Sequence, residues 1–402
     1  MKRFNTVRNT IFDMSKLSIT PKTWSAEEVV RSGKDIFFTE GQARGTRPSG
    51  VSAIWYESEK YHGKPTQVFA WLGIPEVASN KKLPAVILVH GGGGTAFAKW
   101  VAMWNRRGYI AIAVDTCGNI PQAKKYGKWN RHENSGPNGC GDFENIDLPI
   151  KEQWTYHAVS AVIKAHSLLR TLPQVDKNKV GICGLSWGGY LTSIVIGVDH
   201  RLKFAVSIYG CGFLDQDSAW GKNLEKLGPK RKRKWLQTWD PSNYLPDAKL
   251  PTLWVSGSND PAYNLKMLDL SQRCHGGNSC LSVYIRYFHS HIWGWKRPET
   301  AAFIDSICGK KKKGLIRTFG LGQKNGKAFA RYDRRASLDQ AWLCYTTDDG
   351  KWQDRYWRRQ KAVIENGRIT SEVPRNATAC FFNLVNDDDG CKSSSSLIHL
   401  KP

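Results

Sequence analysis

The rhythm of apolar and polar positions along this 402-residue chain changes near residue 83. Before that point, residues 1–50 are polar and weakly periodic, and read as an N-terminal arm with one helix near 25–33. Residues 51–56 and 67–72 read as two strands joined through a turn at 60–65, an antiparallel hairpin. From Leu83 onward, short and almost wholly apolar runs alternate with longer stretches in which apolar residues recur at three and four. The runs are 85–89, 109–114, 179–183, 204–209, 253–256 and 281–285, and the helical stretches include 96–107, 153–172 and 190–196. Strands apolar on both faces, alternating with helices, predict an α/β class built on a parallel sheet covered on both sides. An insertion rich in Trp and Lys occupies 210–250, and the lysine run 310–313 reads as a linker. Beyond it, strand patterns at 341–345, 362–364 and 379–385 alternate with polar turns, predicting a small all-β, sandwich-like domain. The expected organisation is an arm over 1–50, an α/β domain over 51–309 and a C-terminal β domain over 314–402.

Composition changes this picture little. Lys and Arg number 59 against 35 Asp and Glu, a formal charge of +24, concentrated partly in the runs 230–234 and 310–313. A polyanion would be attracted to such a surface. No nucleic-acid-binding motif accompanies it, so the runs read as solvated surface and no specific nucleic acid is expected. No run reaches the length of a membrane span. Residues 1–21 begin basic but have no apolar core segment, so no secretory signal is read; the cytoplasm is favoured, with secretion open if the sequence is a processed form. The ten cysteines lack C-x-x-C pairs and histidines at zinc spacing, so no metal site is expected. Cys274 and Cys280 flank a glycine-containing turn and can bridge in an oxidising compartment.

The candidate chemistry centres on Gly184-Leu185-Ser186-Trp187-Gly188, which lies between an apolar strand pattern and a helical one. G-x-S-x-G in that setting is a nucleophile elbow, in which small residues flank a serine pushed above the sheet edge. A nucleophilic serine needs a base, and the base an orienting acid, in the chain order Ser, Asp, His. Asp260 follows the strand at 253–256 through Gly257-Ser258-Asn259, at the sheet edge where functional residues of α/β folds gather. Two histidines, His289 and His291, follow the last strand, and one of them is the expected base. His90-Gly91-Gly92-Gly93-Gly94 follows an earlier strand; the amides of Gly92, Gly93 and Trp187 are the expected donors to an oxyanion. The glycine loop has neither the Lys-Ser/Thr of a P-loop nor dinucleotide-binding spacing.

These residues resemble a known family. HGGGG at 90–94, GLSWGGY at 184–190, GSND at 257–260 and HSHIWGW at 289–295 are similar to the motifs of α/β-hydrolases. Within them the likeness is to the acetylxylan-esterase and cephalosporin-deacetylase-like group, related to dienelactone hydrolases and prolyl-oligopeptidase-type enzymes. Trp239-Asp240-Pro241 with Tyr244-Leu245 also resembles the segment that leads to the acid strand in that group. The resemblance spans a little over half of the chain. It implies Ser186 as nucleophile, Asp260 as acid, a histidine within 289–291 as base, and neither metal nor organic cofactor. His291 stands in an H-x-x-G setting similar to that of the catalytic histidine in the peptidase branch, and is the expected base, with His289 as the alternative. The chain holds no segment that could form the β-propeller of prolyl oligopeptidases. The expected activity is therefore a serine esterase removing acyl groups, acetyl foremost, from a carbohydrate or related small ester. Trp187, Trp220 and Trp293 are the residues expected to stack on such a substrate. The alternatives are a serine peptidase or amidase, and a catalytically idle carbohydrate- or polyanion-binding protein. Oligomeric state is not legible in the sequence.

Overall fold

The computed structural model describes residues 11–31, 35–43, 45–76, 81–333, 337–386 and 389–400. The hairpin is longer than its pattern suggested: β1 (Val51–Tyr61) and β2 (Lys64–Gly73) are joined by only His62 and Gly63. Both turn residues have positive φ (49° and 75°), the two-residue turn whose twist matches that of the strands it joins. The next strands are β3 (Leu83–Val89), β4 (Ile110–Val114), β5 (Val175–Leu185), β6 (Ala205–Ile208), β7 (Thr252–Gly257) and β8 (Ser279–Tyr284). They lie in the order β1-β2-β4-β3-β5-β6-β7-β8, antiparallel up to β4 and parallel from β4 onward.

Two cores form because strand side chains alternate between faces. Ile87, Val89, Ile112 and Val114 point to one face, packed under α2 (Trp154–Leu169) and α3 (Trp187–Val195). Val86, Leu88, Ala111 and Ala113 point to the other, under α1 (Ala98–Asn105) and the helix Pro298–Ile307. The fold is that of an α/β-hydrolase, with every parallel strand directing its C-terminal end to one edge.

The C-terminal all-β region is present, and its strands continue the main sheet. Lys392–Ser394 pairs antiparallel with β8, followed outward by Ala379–Asn386, Leu338–Thr346 and Arg358–Lys361. A separate four-stranded sheet, Thr318–Lys324, Lys327–Tyr332, Arg368–Glu372 and Val363–Glu365, shares an apolar core with this extension. The junction is closed by buried polar side chains. Ser394 Oγ accepts from the Val283 amide (2.8 Å), and Asn383 Nδ2 donates to the Val283 carbonyl (3.1 Å). Near the lysine run, Lys310 Nζ donates to the carbonyls of Arg107 and Gly108, and Lys311 pairs with Asp389 (3.2 Å).

Trypsin is therefore expected to cut at the exposed Lys312 or Lys313 without releasing the C-terminal fragment. Native size-exclusion chromatography of the nicked protein should show one intact species, and two separating fragments would show that the shared sheet does not bind the regions together.

Candidate active site

The elbow is built by close approach. A Cβ on Gly184 would lie 2.0 Å from the Gly188 carbonyl oxygen, and one on Gly188 the same distance from that of Val89, so neither position admits a side chain. Ser186 between them has φ 56° and ψ −119°, a strained conformation for a non-glycine residue. The turn is held by the Ser186 amide donating to the Ile208 carbonyl (2.8 Å) and by the start of α3 at Trp187.

Around this serine the structure brings together three of the expected residues. His289 Nε2 lies 2.8 Å from Ser186 Oγ, and His289 Nδ1 lies 2.8 Å from Asp260 Oδ2. Asp260, just beyond the C-terminal end of β7, is fully buried, and its Oδ1 accepts from the amides of Ala262 (2.9 Å) and Tyr263 (2.7 Å). These bonds fix the carboxylate so that its other oxygen faces the imidazole. Tyr209 supports the ring from the side, 4.7 Å between centroids, while its hydroxyl donates to the Ser290 carbonyl (3.1 Å). An imidazole held between a serine hydroxyl and a buried carboxylate can accept the hydroxyl proton as the oxygen attacks a carbonyl carbon.

The expectation for His291 is corrected by this geometry. His291 opens the short helix His291–Trp295 and is buried, with its ring nitrogens engaged by groups other than Ser186 Oγ. There its Nε2 accepts from the Gly91 amide (2.9 Å) and its Nδ1 faces Glu40 Oε1 (3.1 Å). Burial, opposed by Glu40, holds its imidazole below the usual histidine range.

The glycine loop lies beside the serine: a Cβ on Gly91 would come within 2.9 Å of Ser186 Cβ, and one on Gly92 within 2.7 Å of Trp187 Cδ1. Gly91 and Gly92 thus pack directly against Ser186 and Trp187 at the start of α3. Trp187, as the first residue of the helix, has no intrahelical acceptor for its amide. Gly93 is turned at φ +69°, and its carbonyl accepts from Trp129 Nε1 (2.9 Å).

Of the three expected stacking residues, Trp187 is corrected. Its indole is 5% exposed, packed among Phe143, Trp154, Tyr190 and Trp220, and offers no open face. Trp220 is half-buried against Trp187 and Tyr263. Trp293, 45% exposed, lies 5.8 Å from the more exposed Phe288 on the loop that carries His289. Cys274 and Cys280 are free thiols. Among the described residues no cluster of His, Cys, Asp and Glu could hold a metal, and no helix is long and apolar enough to cross a membrane.

Two residues of this site carried no clear sequence signal. Glu40 lies in the arm, after the buried Phe37 and Phe38, where only an apolar triplet before Glu-Gly hinted at a hairpin. Tyr209 read as the last residue of a strand, whereas its φ of 42° turns it over the site.

The fold is that of an α/β-hydrolase, and Ser186, His289 and Asp260 are joined in it by hydrogen bonds at the C-terminal edge of the sheet. Residues 142–267 match the profile of Peptidase S9, the prolyl oligopeptidase family. The dipeptidyl-peptidase 5 of Porphyromonas gingivalis is 26% identical over 180 residues, 43% of this chain and 22% of that protein. A probable dipeptidyl-peptidase 5 of Aspergillus terreus is 25% identical over 168 residues, 40% of this chain and 20% of that protein. The chain therefore spans about a fifth of the length of these curated relatives. Among solved structures, acetyl xylan esterase 1 from Thermoanaerobacterium sp. JW/SL YS485 shares the fold with a TM-score of 0.53 at 15% identity, over 74% of this chain and 99% of that one.

Proposed function

We propose that this protein is a serine esterase that removes acyl groups, acetyl foremost, from a carbohydrate or related small ester through an acyl-enzyme. The observation that carries the chemistry is His289, 2.8 Å from both Ser186 Oγ and Asp260 Oδ2. In this reading Ser186 attacks the ester carbonyl, and His289 takes its proton and returns it to the leaving alcohol. Asp260 orients the ring and stabilises the imidazolium. The amides of Gly92 and Trp187 meet the developing oxyanion, and each such donor accounts for about 3 kcal/mol of barrier. Exposed Phe288 and Trp293, beside His289, supply apolar faces suited to the C–H face of a sugar ring. Likeness to an acetyl xylan esterase over nearly the whole of that chain is in keeping with this substrate class.

A second reading, a peptidase or amidase, is favoured by the match to the prolyl oligopeptidase family and to the dipeptidyl-peptidases. The same machinery serves both, and the leaving group decides. Purified protein should be assayed with p-nitrophenyl acetate, an acetylated xylo-oligosaccharide and a panel of dipeptide p-nitroanilides. The expected result is kcat/KM at least about 100-fold higher for the acetyl esters than for any anilide, equivalent to about 2.7 kcal/mol. Faster turnover of an anilide overturns the esterase reading, and turnover of none would favour a binding protein on an idle scaffold.

A further inference from the structure

The glycine loop is tied down by a side-chain relay that begins 251 residues away from the histidine it holds. Glu40 sits in the turn between the short strands Phe37–Thr39 and Gln42–Ala43. This hairpin is anchored by the Phe37 amide donating to the Pro121 carbonyl (2.8 Å) and by Phe38 packed on Trp71 (5.7 Å). From there Glu40 reaches the start of the helix His291–Trp295, where Oε2 accepts from the Ile292 amide (3.0 Å) and Oε1 faces His291 Nδ1 (3.1 Å). On the far side of the ring, Nε2 accepts from the Gly91 amide at 2.9 Å. A backbone amide can only donate, so Nε2 is unprotonated and the ring proton lies on Nδ1, toward Glu40. The Gly91 carbonyl is held as well, by the Gly94 amide (3.2 Å) and His90 Nδ1 (2.8 Å). The His291 ring presses on the loop at Gly94, where a Cβ would come within 2.9 Å of its Cε1. Both polar groups of Gly91 are thus committed, and the next amide, that of Gly92, is the one left beside Trp187.

We propose that Glu40 and His291 are positioning residues that hold the glycine loop 91–94 so that the Gly92 and Trp187 amides meet the oxyanion of the tetrahedral intermediate. This rests on the serine-hydrolase reading of Ser186. The electrostatics agree with the tautomer. Burial works to raise the Glu40 carboxyl, but hydrogen bonds from His291 and the Ile292 amide override it and hold it down at about 2. Burial keeps His291 neutral against the pull of Glu40. The charged or titratable groups that bear on His291 are Glu40 from the arm, His90 from the loop and His289 from its own loop; Phe97 and Trp295 enclose the rest of the ring. A proton added at Nε2 would turn the acceptor of the Gly91 amide into a donor and break the tie. Activity then needs two neutral histidines, His289 as base and His291 as tie.

The test compares wild type with Glu40→Ala, Glu40→Gln, His291→Phe and His291→Gln, using kcat and KM for p-nitrophenyl acetate, the pH profile and the rate of fluorophosphonate labelling of Ser186. Glu40→Ala and His291→Phe should each lower kcat and labelling rate about 100-fold with KM changed less than about threefold, since the oxyanion donors act in the transition state. His291→Gln keeps an acceptor for the Gly91 amide and should stay within about tenfold of wild type. Below the optimum, log kcat/KM in wild type should fall with slope 1 and steepen beyond 1 at lower pH, where His291 takes up its proton, whereas His291→Gln, whose side chain does not titrate, should keep slope 1 throughout. Glu40→Gln preserves volume, and the wild-type profile requires no substitution, so neither depends on tolerance of a core change. Kinetics and labelling at wild-type level in Glu40→Ala and His291→Phe, or a loss confined to KM, would overturn the proposal while Ser186 stayed essential. If Ser186 is neither labelled nor needed, it is instead the serine reading that fails.

Discussion

Replacing Ser186 with alanine is expected to lower kcat for ester hydrolysis by about 10⁴-fold or more while leaving the protein folded. The hydroxyl's bond is to His289, and alanine keeps the Cβ at this position. The backbone at 186 stays in the same strained turn, because that turn is imposed by Gly184, Gly188 and the Ile208 carbonyl. Stability should therefore move by no more than about 1 kcal/mol. Parallel measurements of p-nitrophenyl acetate turnover and thermal unfolding check both halves. Substantial turnover in a folded Ser186→Ala protein would exclude the serine mechanism.

The second large effect separates two histidines that stand two positions apart. His289→Ala should lower kcat by about 10⁴-fold or more, close to the loss from Ser186→Ala, because the two act as a unit and their effects do not add. A Ser186→Ala/His289→Ala double variant should then be little worse than either single one. Substitution of His291 should cost far less, at most about 100-fold for His291→Phe, the range set by one oxyanion donor. Steady-state kinetics on the three variants decide the assignment. A larger loss at 291 than at 289 would mean that the bonds of 2.8 Å around His289 do not represent the working site.

Much of this was legible because it is local. The apolar runs 85–89 and 109–114 are buried on both faces, and burial on both faces is what an unbroken apolar run encodes. The elbow was legible because G-x-S-x-G is a contiguous pattern between a strand and a helix, although the Val89 carbonyl that keeps Gly188 bare comes from another strand, and Asp260 because it follows the end of a strand by a short turn. What escaped were relations set by distant parts of the chain. His289 and His291 have similar neighbours in sequence; they are distinguished by Ser290 capping a helix that starts at 291 and by Glu40 arriving from the arm. Trp187 looked available because its position beside the nucleophile is fixed by sequence, whereas Phe143, Trp154 and Trp220, which cover it, come from three other segments. The strands beyond 314 were readable as strands, but not as an extension of the first sheet. That pairing depends on Ser394 and Asn383 meeting β8, and no periodicity records it.

The way β8 is closed also sets an order of events during synthesis. Val283 leaves the ribosome 111 residues before Ser394, the residue whose hydroxyl takes its amide. Throughout that interval the growing chain can already form the parallel strands β3 to β8, yet the outermost of them presents unpaired backbone to its surroundings. An open strand edge of this kind is a template for any neighbouring chain. The nascent protein thus passes through its most adhesive stage with Ser186, Asp260 and His289 already made, and the arrival of Lys392–Ser394 brings that stage to an end.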